Sequence, residues 1–140
     1  MSSSYDIGLA KNEDLAGAIE LWRSVGLTSS LRSDDQIEDA LRTHPSLILV
    51  VARGEGIVVG TALAGTDGWW GWVYRLAVAP EHRGQGIGRA LVGEVERQLQ
   101  ARGVRYANAI VSRDNASALG VFGAVGWEVD GTHVRISKRI

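Results

Sequence analysis

Apolar and polar positions repeat with two periods along this chain, and the two periods predict its strands and helices. Alternation, or a continuous β-branched run, predicts strands over residues 5–10, 47–53, 57–64, 73–79, 105–112, 128–130 and 133–138. Apolar residues spaced three and four apart predict helices over residues 12–25, 33–43, 87–102 and 114–125. The chain is therefore predicted to mix both kinds of element throughout its length.

The order of these elements, β-α-α-β-β-β-α-β-α-β-β, predicts an α/β fold with a mixed central sheet. A turn at Gly54-Glu55-Gly56 joins two strands into a hairpin, and Gly60 inside the second strand predicts a bulge or a close backbone approach. The strand–helix–strand passage over 73–112 predicts two parallel strands. Because no linker, repeat or low-complexity segment interrupts the order, residues 1–140 are expected to form one domain.

Composition narrows the classes of protein that fit. The 140 residues are 45% hydrophobic and 22% charged, include no cysteine, and carry only three scattered histidines. A disulfide framework and a cysteine nucleophile are therefore excluded, and a metal site is not expected. The sequence has neither an apolar run of about 18 residues nor the pattern of a signal peptide, so we expect a cytoplasmic protein that does not enter a membrane.

The formal net charge of −1 is divided unevenly along the chain. Residues 1–70 contain five Lys and Arg against ten Asp and Glu, whereas residues 71–140 contain ten against six. A basic half suits a polyanionic cofactor and an acidic half suits a cationic acceptor, although an ordinary mixed surface gives the same totals. No basic run is dense enough to predict nucleic-acid binding.

The glycine-rich stretch after the strand at 73–79 carries the chemistry. Gly84, Gly86 and Gly88 stand at alternate positions and lead directly into a predicted helix, with Arg83 and Arg89 on either side. Glycines admit a ligand close to the backbone, and the N–H groups of a helix N-terminus favour phosphate. The stretch therefore predicts a pyrophosphate cradle; the alternative is a tight strand–helix turn that binds nothing.

Two other glycine motifs fail to match this stretch. The dinucleotide fingerprint G-x-G-x-x-G read from Gly84 meets Arg89 where glycine or alanine is needed. A Walker A loop read from the same glycine fails at Arg89 as well, and a loop read from Gly88 meets Glu94 instead of lysine. The loop is therefore of another kind.

Two motifs carry a resemblance to a known family. The pattern R-x-x-G-x-G at 83–88 is similar to the coenzyme A loop Q/R-x-x-G-x-G/A of the GNAT superfamily of acyl-CoA N-acyltransferases. The pattern N-x-x-A-x-x-x-F-x-x-x-G-W at 115–127 resembles a second motif of that superfamily. From about Leu47 to its end the chain looks like a small single-domain bacterial acetyltransferase, whereas the first 45 residues agree only in outline.

The resemblance implies a fold, a cofactor and a reaction. The fold is a sheet of six or seven strands in which the parallel strands 4 and 5 splay apart. The reaction moves the acetyl group of acetyl-CoA to a primary amine of a small molecule or peptide by direct attack. Residues implied to bind the cofactor are Leu76, Ala77, Val78, Arg83, Gly84, Gln85, Gly86, Ile87, Gly88, Arg89, Asn115 and Phe122.

The resemblance is weakest at the groups that move protons. The backbone N–H of Val78 is implied as the oxyanion donor, but Phe122 stands where the family commonly has a tyrosine that protonates the thiolate. Water or Tyr74 could supply that proton, or the protein could be a non-catalytic acyl-CoA-binding module. Candidate bases are Asp67 and Tyr74, followed by Glu128, although Asp67 beside Gly68 is also typical of a plain turn.

The acceptor side is predicted by position alone. The stretch between the first two helices commonly walls this side in the superfamily, which makes Leu27 and Leu31 candidates, and an ordinary connection is the alternative. Trp70 and Trp72 lie in a tryptophan-rich turn that could form an acceptor wall, a dimer surface or core packing. A homodimer is therefore among the expected partners.

Overall fold

A computed structural model describes residues 4–27 and 34–140. Its strands are β1 (Tyr5–Leu9), β2 (Leu47–Gly54), β3 (Ile57–Thr66), β4 (Gly71–Val78) and β5 (Ala107–Ala109). Its α-helices are α1 (Leu15–Ser24), α2 (Asp34–Thr43), α3 (Ile87–Ala101) and α4 (Ala116–Ala124). The strands form one sheet in the order β1-β2-β3-β4-β5, antiparallel as far as β4, and the β4–β5 pair is parallel. The predicted α/β fold and its parallel pair are confirmed.

The sheet is covered by helices on both faces, as two neighbouring residues of β3 show. A Cβ built on Gly60 would meet side chains of α3 at 3.0 Å, from Ile87 and Leu91. The next residue, Thr61, accepts a buried hydrogen bond of 2.8 Å from Trp22 Nε1 of α1. Successive strand residues point to opposite faces, so α1 and α3 lie on opposite sides. Burial on both faces explains the continuous apolar run of β2.

Gly60 has the role that its place in the hairpin predicts. The register between β2 and β3 shifts at Ala52/Arg53, so that Val59 is the extra residue beside Gly60. The 3.0 Å approach of the α3 side chains leaves no room for a side chain at Gly60. Both predicted reasons for this glycine, a neighbouring bulge and a close approach, are confirmed.

A second bulge lies in β4. Leu63 of β3 pairs with Arg75 and Ala64 pairs with Val73, so Tyr74 is the extra residue. A bulge changes which side of the strand the following amide groups face. The bulge therefore determines which backbone groups of the last β4 residues point toward β5.

The predicted pair of closing strands is wrong. Within the described residues the sheet has five strands, not six or seven, and residues 128–140 form neither strand nor helix. β5 is also shorter than predicted, with three residues instead of eight. A strand forms only where a neighbour takes its backbone hydrogen bonds, and in this chain the final alternating residues lie against no strand.

Across the described residues, no helix is long and apolar enough to cross a membrane.

Candidate active site

A cleft opens where β4 and β5 part. The two strands pair only from Gly71–Val73 to Ala107–Ala109, after which Ile110 reaches Val73 through one long hydrogen bond of 3.4 Å. A cavity of about 340 Å³ lies beyond that point. It is lined by Val25, Leu27, Leu76, Ala77, Val78, Arg83, Ser112, Asp114, Asn115, Ser117, Ala118 and Val121. The predicted splay of the two parallel strands is therefore confirmed.

The last residues of β4 present backbone groups to this cleft. The N–H of Ala79 is bonded to Val59 of β3 at 2.8 Å, so it faces away from β5. Neighbouring residues in a strand direct their amide groups to opposite sides. The amides of Leu76 and Val78 consequently face the cleft, where β5 no longer pairs with them. The cleft thus has one wall of strand backbone that can bond an extended ligand.

The glycine loop follows β4 and contributes Arg83 to the lining of the cleft. Gly84 and Gly86 have φ values of 80° and 81°, a conformation that side chains disfavour, and a Cβ at either would point into open space. Among the described residues, no side chain caps the α3 N-terminus at Gly86. Its first N–H groups therefore remain available to an anion. Arg83 adds a guanidinium, held by a 3.1 Å bond from its Nε to the Val78 carbonyl.

Gly88 differs from the other two glycines of the loop. It lies inside α3, and a Cβ there would come within 3.0 Å of the Val121 side chain of α4. The residue therefore allows α3 and α4 to pack closely. Of these two helices, α4 lines the cavity, through Ser117, Ala118 and Val121.

Tyr5, the first residue of β1, supports the loop through its hydroxyl group. Tyr5 Oη lies 2.8 Å from His82 Nδ1 and 2.9 Å from Gln85 Oε1, and its ring packs edge-on to the His82 ring. The hydroxyl thereby joins β1 to two positions on either side of Arg83 and Gly84. Sequence reasoning missed this contact because the partners are separated by 77 and 80 residues and no local pattern connects them.

Asn115 caps α4 at the opposite wall of the cleft. Its Oδ1 accepts a 3.1 Å hydrogen bond from the Ala118 N–H. Because a backbone N–H needs an oxygen acceptor, this bond fixes the amide orientation and leaves the NH₂ group of Asn115 as a donor. Asn115 lines the same cavity as Leu76 and Val78 of β4, so its NH₂ group is a candidate donor to a ligand in the cleft.

These features fit a long anionic ligand better than a compact one. A glycine loop and a helix N-terminus favour a diphosphate, and the strand edge with a facing amide favours an extended chain of amide groups. Among the described residues, no group of three or more His, Cys, Asp or Glu could hold a metal ion.

Comparison with known proteins identifies the family. Residues 15–127 match the family model described as Acetyltransferase (GNAT) family. A relative named acetyltransferase in Yersinia pestis (strain Pestoides F) is 32% identical over 136 residues, which is 96% of this chain and 95% of that protein.

The chain belongs to the GNAT acetyltransferase family.

Solved structures of other acetyltransferases share the fold of this chain. An aminoglycoside N-acetyltransferase in complex with CoA superposes with a TM-score of 0.82 at 20% identity, covering 100% of this chain and 98% of the other. A ribosomal-protein-alanine N-acetyltransferase from Brucella melitensis biovar Abortus 2308 gives 0.78 at 21%, covering 97% and 100%. An aminoglycoside acetyltransferase from an uncultured soil metagenomic sample, in complex with trehalose, gives 0.81 at 18%, covering 97% and 96%.

Membership confirms the cofactor class that the motifs predict. GNAT acetyltransferases use acetyl-CoA, whose pyrophosphate and amide-bearing arm are the two chemical features that the cleft suits. The prediction of a transferase, and of an acetyltransferase in particular, is confirmed at the level of the family.

The predicted acceptor residues separate into two groups. Leu27 lines the cleft, whereas Leu31 lies outside the described residues. Trp70 belongs to an aromatic patch, formed by Trp69, Trp70 and Tyr106, beside a second hollow of about 320 Å³. The patch adjoins the first residue of β4, and eight strand residues place it about 23 Å from the last one. Trp72, the second residue of β4, is half-buried.

Asp67 lies with the aromatic patch and not with the cleft. Its Oδ1 accepts hydrogen bonds of 2.9 Å from the N–H groups of both Trp69 and Trp70. The Trp70 and Trp69 N–H groups hold the pKa of the Asp67 carboxyl below its usual range. The geometry is that of a turn, which was the alternative for Asp67 beside Gly68.

Phe122 is buried and packs against Trp127, with ring centroids 4.8 Å apart. The residues of α4 that line the cleft are Ser117, Ala118 and Val121. Tyr74, in contrast, is the bulge residue of β4 and is 46% exposed. The structure thus places Tyr74 two residues before the cleft-facing amide of Leu76, and Phe122 in the core.

Proposed function

We propose that this protein is an N-acetyltransferase that moves the acetyl group of acetyl-CoA to a primary amine by direct attack. The observation that carries the proposal is the cleft between β4 and β5, which is lined by Arg83 of the glycine loop that leads to the uncapped N-terminus of α3. Bound acetyl-CoA supplies an acetyl thioester that an amine can attack. The acceptor belongs to a small molecule or a peptide.

Each wall of the cleft has a proposed part in holding the cofactor. Residues 83–89 and the first N–H groups of α3 bind the pyrophosphate, and Arg83 has four N–H donors beyond the one used by Val78. The backbone of Leu76 and Val78 bonds the pantetheine arm from one side. Asn115 donates its NH₂ group from the other.

The remaining task of the protein is proton transfer and charge stabilisation. An alkyl amine with a pKa near 10.4 costs about 4–5 kcal/mol to deprotonate at pH 7, so a base acting directly or through water assists. The N–H of Val78 faces the cleft and is the proposed oxyanion donor. Tyr74 is the proposed proton donor, because it is the tyrosine nearest in the chain to the cleft-lining residues of β4, two residues before Leu76, although it does not itself line the cavity.

One observation, the burial of Phe122, favours a second function. Phe122 has no proton to give and is buried against Trp127, so a protein that binds acyl-CoA without transferring the acyl group would have this residue pattern. Loss of a general acid lowers a rate by about 10²–10⁴-fold, which slows an enzyme without abolishing the reaction. We therefore rank acetyl transfer first and the acyl-CoA-binding module second.

Thiol release from acetyl-CoA in the presence of amine panels tests the proposal. The panel contains aminoglycosides, peptides with a free N-terminal alanine, and polyamines, and the absence of cysteine removes protein thiols from the background. We expect saturable release with at least one amine. Cofactor binding without release for any amine would favour the acyl-CoA-binding module, and absence of binding would overturn both functions.

Two tyrosines make a matched pair for the proton donor. Tyr74→Phe is expected to lower kcat by about 10²-fold at an unchanged KM for acetyl-CoA. Tyr106→Phe, in the aromatic patch, should leave kcat unchanged. Phe122→Tyr should change kcat little, because that ring is buried. Equal kcat values for Tyr74→Phe and the unmodified protein would assign the proton to water.

The organisation of the chain as one domain over residues 1–140 and its cytoplasmic location are further parts of the proposal. The uninterrupted order of elements supports a single domain. The lack of cysteine supports the cytoplasmic location.

A further inference from the structure

Arg83 contacts the part of β4 that an extended ligand in the cleft would use. Its Nε–H donates a hydrogen bond of 3.1 Å to the carbonyl oxygen of Val78, and the residue lines the cleft. In a strand, the N–H and C=O groups of one residue point to the same side. Because the N–H of Val78 faces the cleft, its carbonyl faces the cleft as well, and Arg83 meets that carbonyl on the open side of β4.

The amide-bearing arm of the cofactor needs the same carbonyl. A chain that adds to a strand edge accepts hydrogen bonds from the outward N–H groups and donates its own N–H groups to the outward carbonyls. The Nε atom of Arg83 lies at the distance from the Val78 oxygen that an N–H of the arm would take. A carbonyl oxygen has two lone pairs, but the guanidinium also takes up space in the cleft that it lines. The side chain and the arm therefore compete for this end of β4.

The side chain of Arg83 can leave the Val78 carbonyl while the loop backbone stays in place. The N–H of Arg83 is bonded to the Pro80 carbonyl at 3.3 Å, and Tyr5 contacts the side chains of His82 and Gln85 on either side of it. Arg83 itself is exposed, so rotation about its side-chain bonds is enough to break the contact.

A pyrophosphate in the glycine loop is a stronger partner for this guanidinium than the carbonyl is. Arg83 directly precedes Gly84, and the loop leads to the uncapped N-terminus of α3 at Gly86. A guanidinium can form two parallel hydrogen bonds to an anionic phosphate group, whereas it forms one here to a neutral oxygen. With a pyrophosphate bound, Arg83 should therefore exchange the carbonyl for the anion.

We propose that Arg83 is a specificity-determining residue, which opens the end of β4 to the arm of a thioester only when that thioester also carries a pyrophosphate. In the free protein its side chain covers the carbonyl of Val78. With a pyrophosphate in the loop, Arg83 pairs with the anion and uncovers that carbonyl. The protein thereby selects thioesters of coenzyme A over thioesters whose arm ends without a pyrophosphate.

This inference rests on the proposed function, because it places the arm of the cofactor along β4. It adds a claim that cofactor binding alone does not contain. Removal of the guanidinium of Arg83 should weaken the binding of a donor with a pyrophosphate and strengthen the binding of a donor without one. A residue that only attracts the cofactor would not produce changes of opposite sign.

Two donors and the Arg83→Met variant test the proposal. Methionine keeps an unbranched apolar side chain and removes the guanidinium. The Kd for acetyl-CoA should rise about 10-fold, because a cation beside the pyrophosphate is lost. The Kd for S-acetylpantetheine, which has no pyrophosphate, should fall about 3–10-fold, because the arm no longer competes with a hydrogen bond to Val78. Calorimetric titration measures the first constant and NMR titration the second.

Arg89→Met is the matched control. Arg89 is also exposed and close to the loop, but it lies in α3 and is not among the described residues that line the cleft. Its replacement should weaken acetyl-CoA binding and leave the Kd for S-acetylpantetheine unchanged. Both variants should unfold at the Tm of the unmodified protein, because both side chains are exposed.

The outcomes separate this inference from the proposed function. If the unmodified protein does not bind acetyl-CoA, the proposed function is wrong and the inference fails with it. If acetyl-CoA binds but Arg83→Met leaves the Kd for S-acetylpantetheine unchanged or raises it, the inference alone is wrong. Equal gains in S-acetylpantetheine affinity for Arg83→Met and Arg89→Met would also overturn it.

The free protein supplies a readout that needs no ligand. The hydrogen bond to Val78 should slow the exchange of the Arg83 Nε–H with water, measured by NMR, relative to the Nε–H of Arg89. Acetyl-CoA should remove this difference at the Val78 carbonyl, whereas S-acetylpantetheine at the same concentration should leave the Arg83 exchange slow. Equally fast exchange at both arginines in the free protein contradicts the proposal.

Discussion

The two ends of β4 differ in composition, and the end with the more conspicuous residues is not the one that forms the cleft. At its first residue lie the aromatic rings of the patch and the turn capped by Asp67. At its last residues lie small side chains, exposed amides and the glycine loop. Binding of an extended anionic cofactor depends on backbone access, which large side chains obstruct and glycine permits.

The largest expected effect comes from a charged side chain in the glycine loop. Gly86→Glu should weaken acetyl-CoA binding more than 100-fold, because it places a carboxylate and a strained residue beside the uncapped α3 N-terminus. Gly68→Glu is the matched control at the other end of β4, since Gly68 has a φ of 91° and similarly open surroundings. Calorimetric titration compares the two, and equal affinities would place the cofactor elsewhere.

A smaller loss is expected when the loop loses its support. Tyr5→Phe removes the hydrogen bonds to His82 and Gln85 and keeps the ring against His82, so affinity for acetyl-CoA should fall about fivefold, at about 0.5 kcal/mol for each bond. The KM for the amine should not change. S-acetylpantetheine, which lacks the pyrophosphate, should bind both proteins equally well.

Equal losses of acetyl-CoA and S-acetylpantetheine affinity in Tyr5→Phe would mean that the tyrosine acts on the whole fold and not on the loop. Thermal unfolding of the variant provides the accompanying control, because a positioning role predicts a binding loss out of proportion to the change in Tm.

Truncation of the aromatic patch should have almost no effect on the reaction. Trp70→Ala is expected to keep both kcat and the KM for the amine within twofold, because the patch adjoins the first residue of β4, whereas the cleft is lined by that strand only from Leu76 onward. Steady-state thiol release measures both constants. A raised KM for the amine alone would mean that Trp70 contacts the acceptor, as its position in the sequence suggests.

The smallest effect on activity belongs to Asp67→Asn. The carboxylate accepts bonds from Trp70 and Trp69 that lower its pKa, so its contribution to stability is present above the unfolded value near 3.9 and disappears as the pH falls through the folded value. The variant should therefore lose stability at pH 7, and the difference from the unmodified protein should shrink as the pH falls through the lowered pKa of Asp67, with an unchanged pH–rate profile. A shifted profile would identify Asp67 as the base.

Sequence reasoning succeeded where the cause of a structure is local. The glycine loop, the bulge beside Gly60 and the parallel pair each follow from a short pattern with its own physical reason. The support from Tyr5 could not be predicted, because its partners lie 77 and 80 residues further along the chain. The bulge at Tyr74, which turns the amides of Leu76 and Val78 to the cleft, has no glycine to mark it.

Alternation alone misled at the end of the chain. Val134 and Ile136 alternate with polar residues and so predict a strand, but the structure has none there, because a pattern does not say whether a neighbour takes the hydrogen bonds of the strand. Gly88 shows the same limit on a smaller scale. Its place among three alternating glycines suggests ligand access, whereas the contact with Val121 makes it a packing residue.

Amide hydrogen exchange with and without acetyl-CoA tests most directly which end of β4 binds the cofactor. The account predicts slower exchange at residues 76–78, 83–89 and 115–118, with no change at residues 67–70 and 106. Protection confined to residues 67–70 and 106 would contradict it and transfer the site to the aromatic patch.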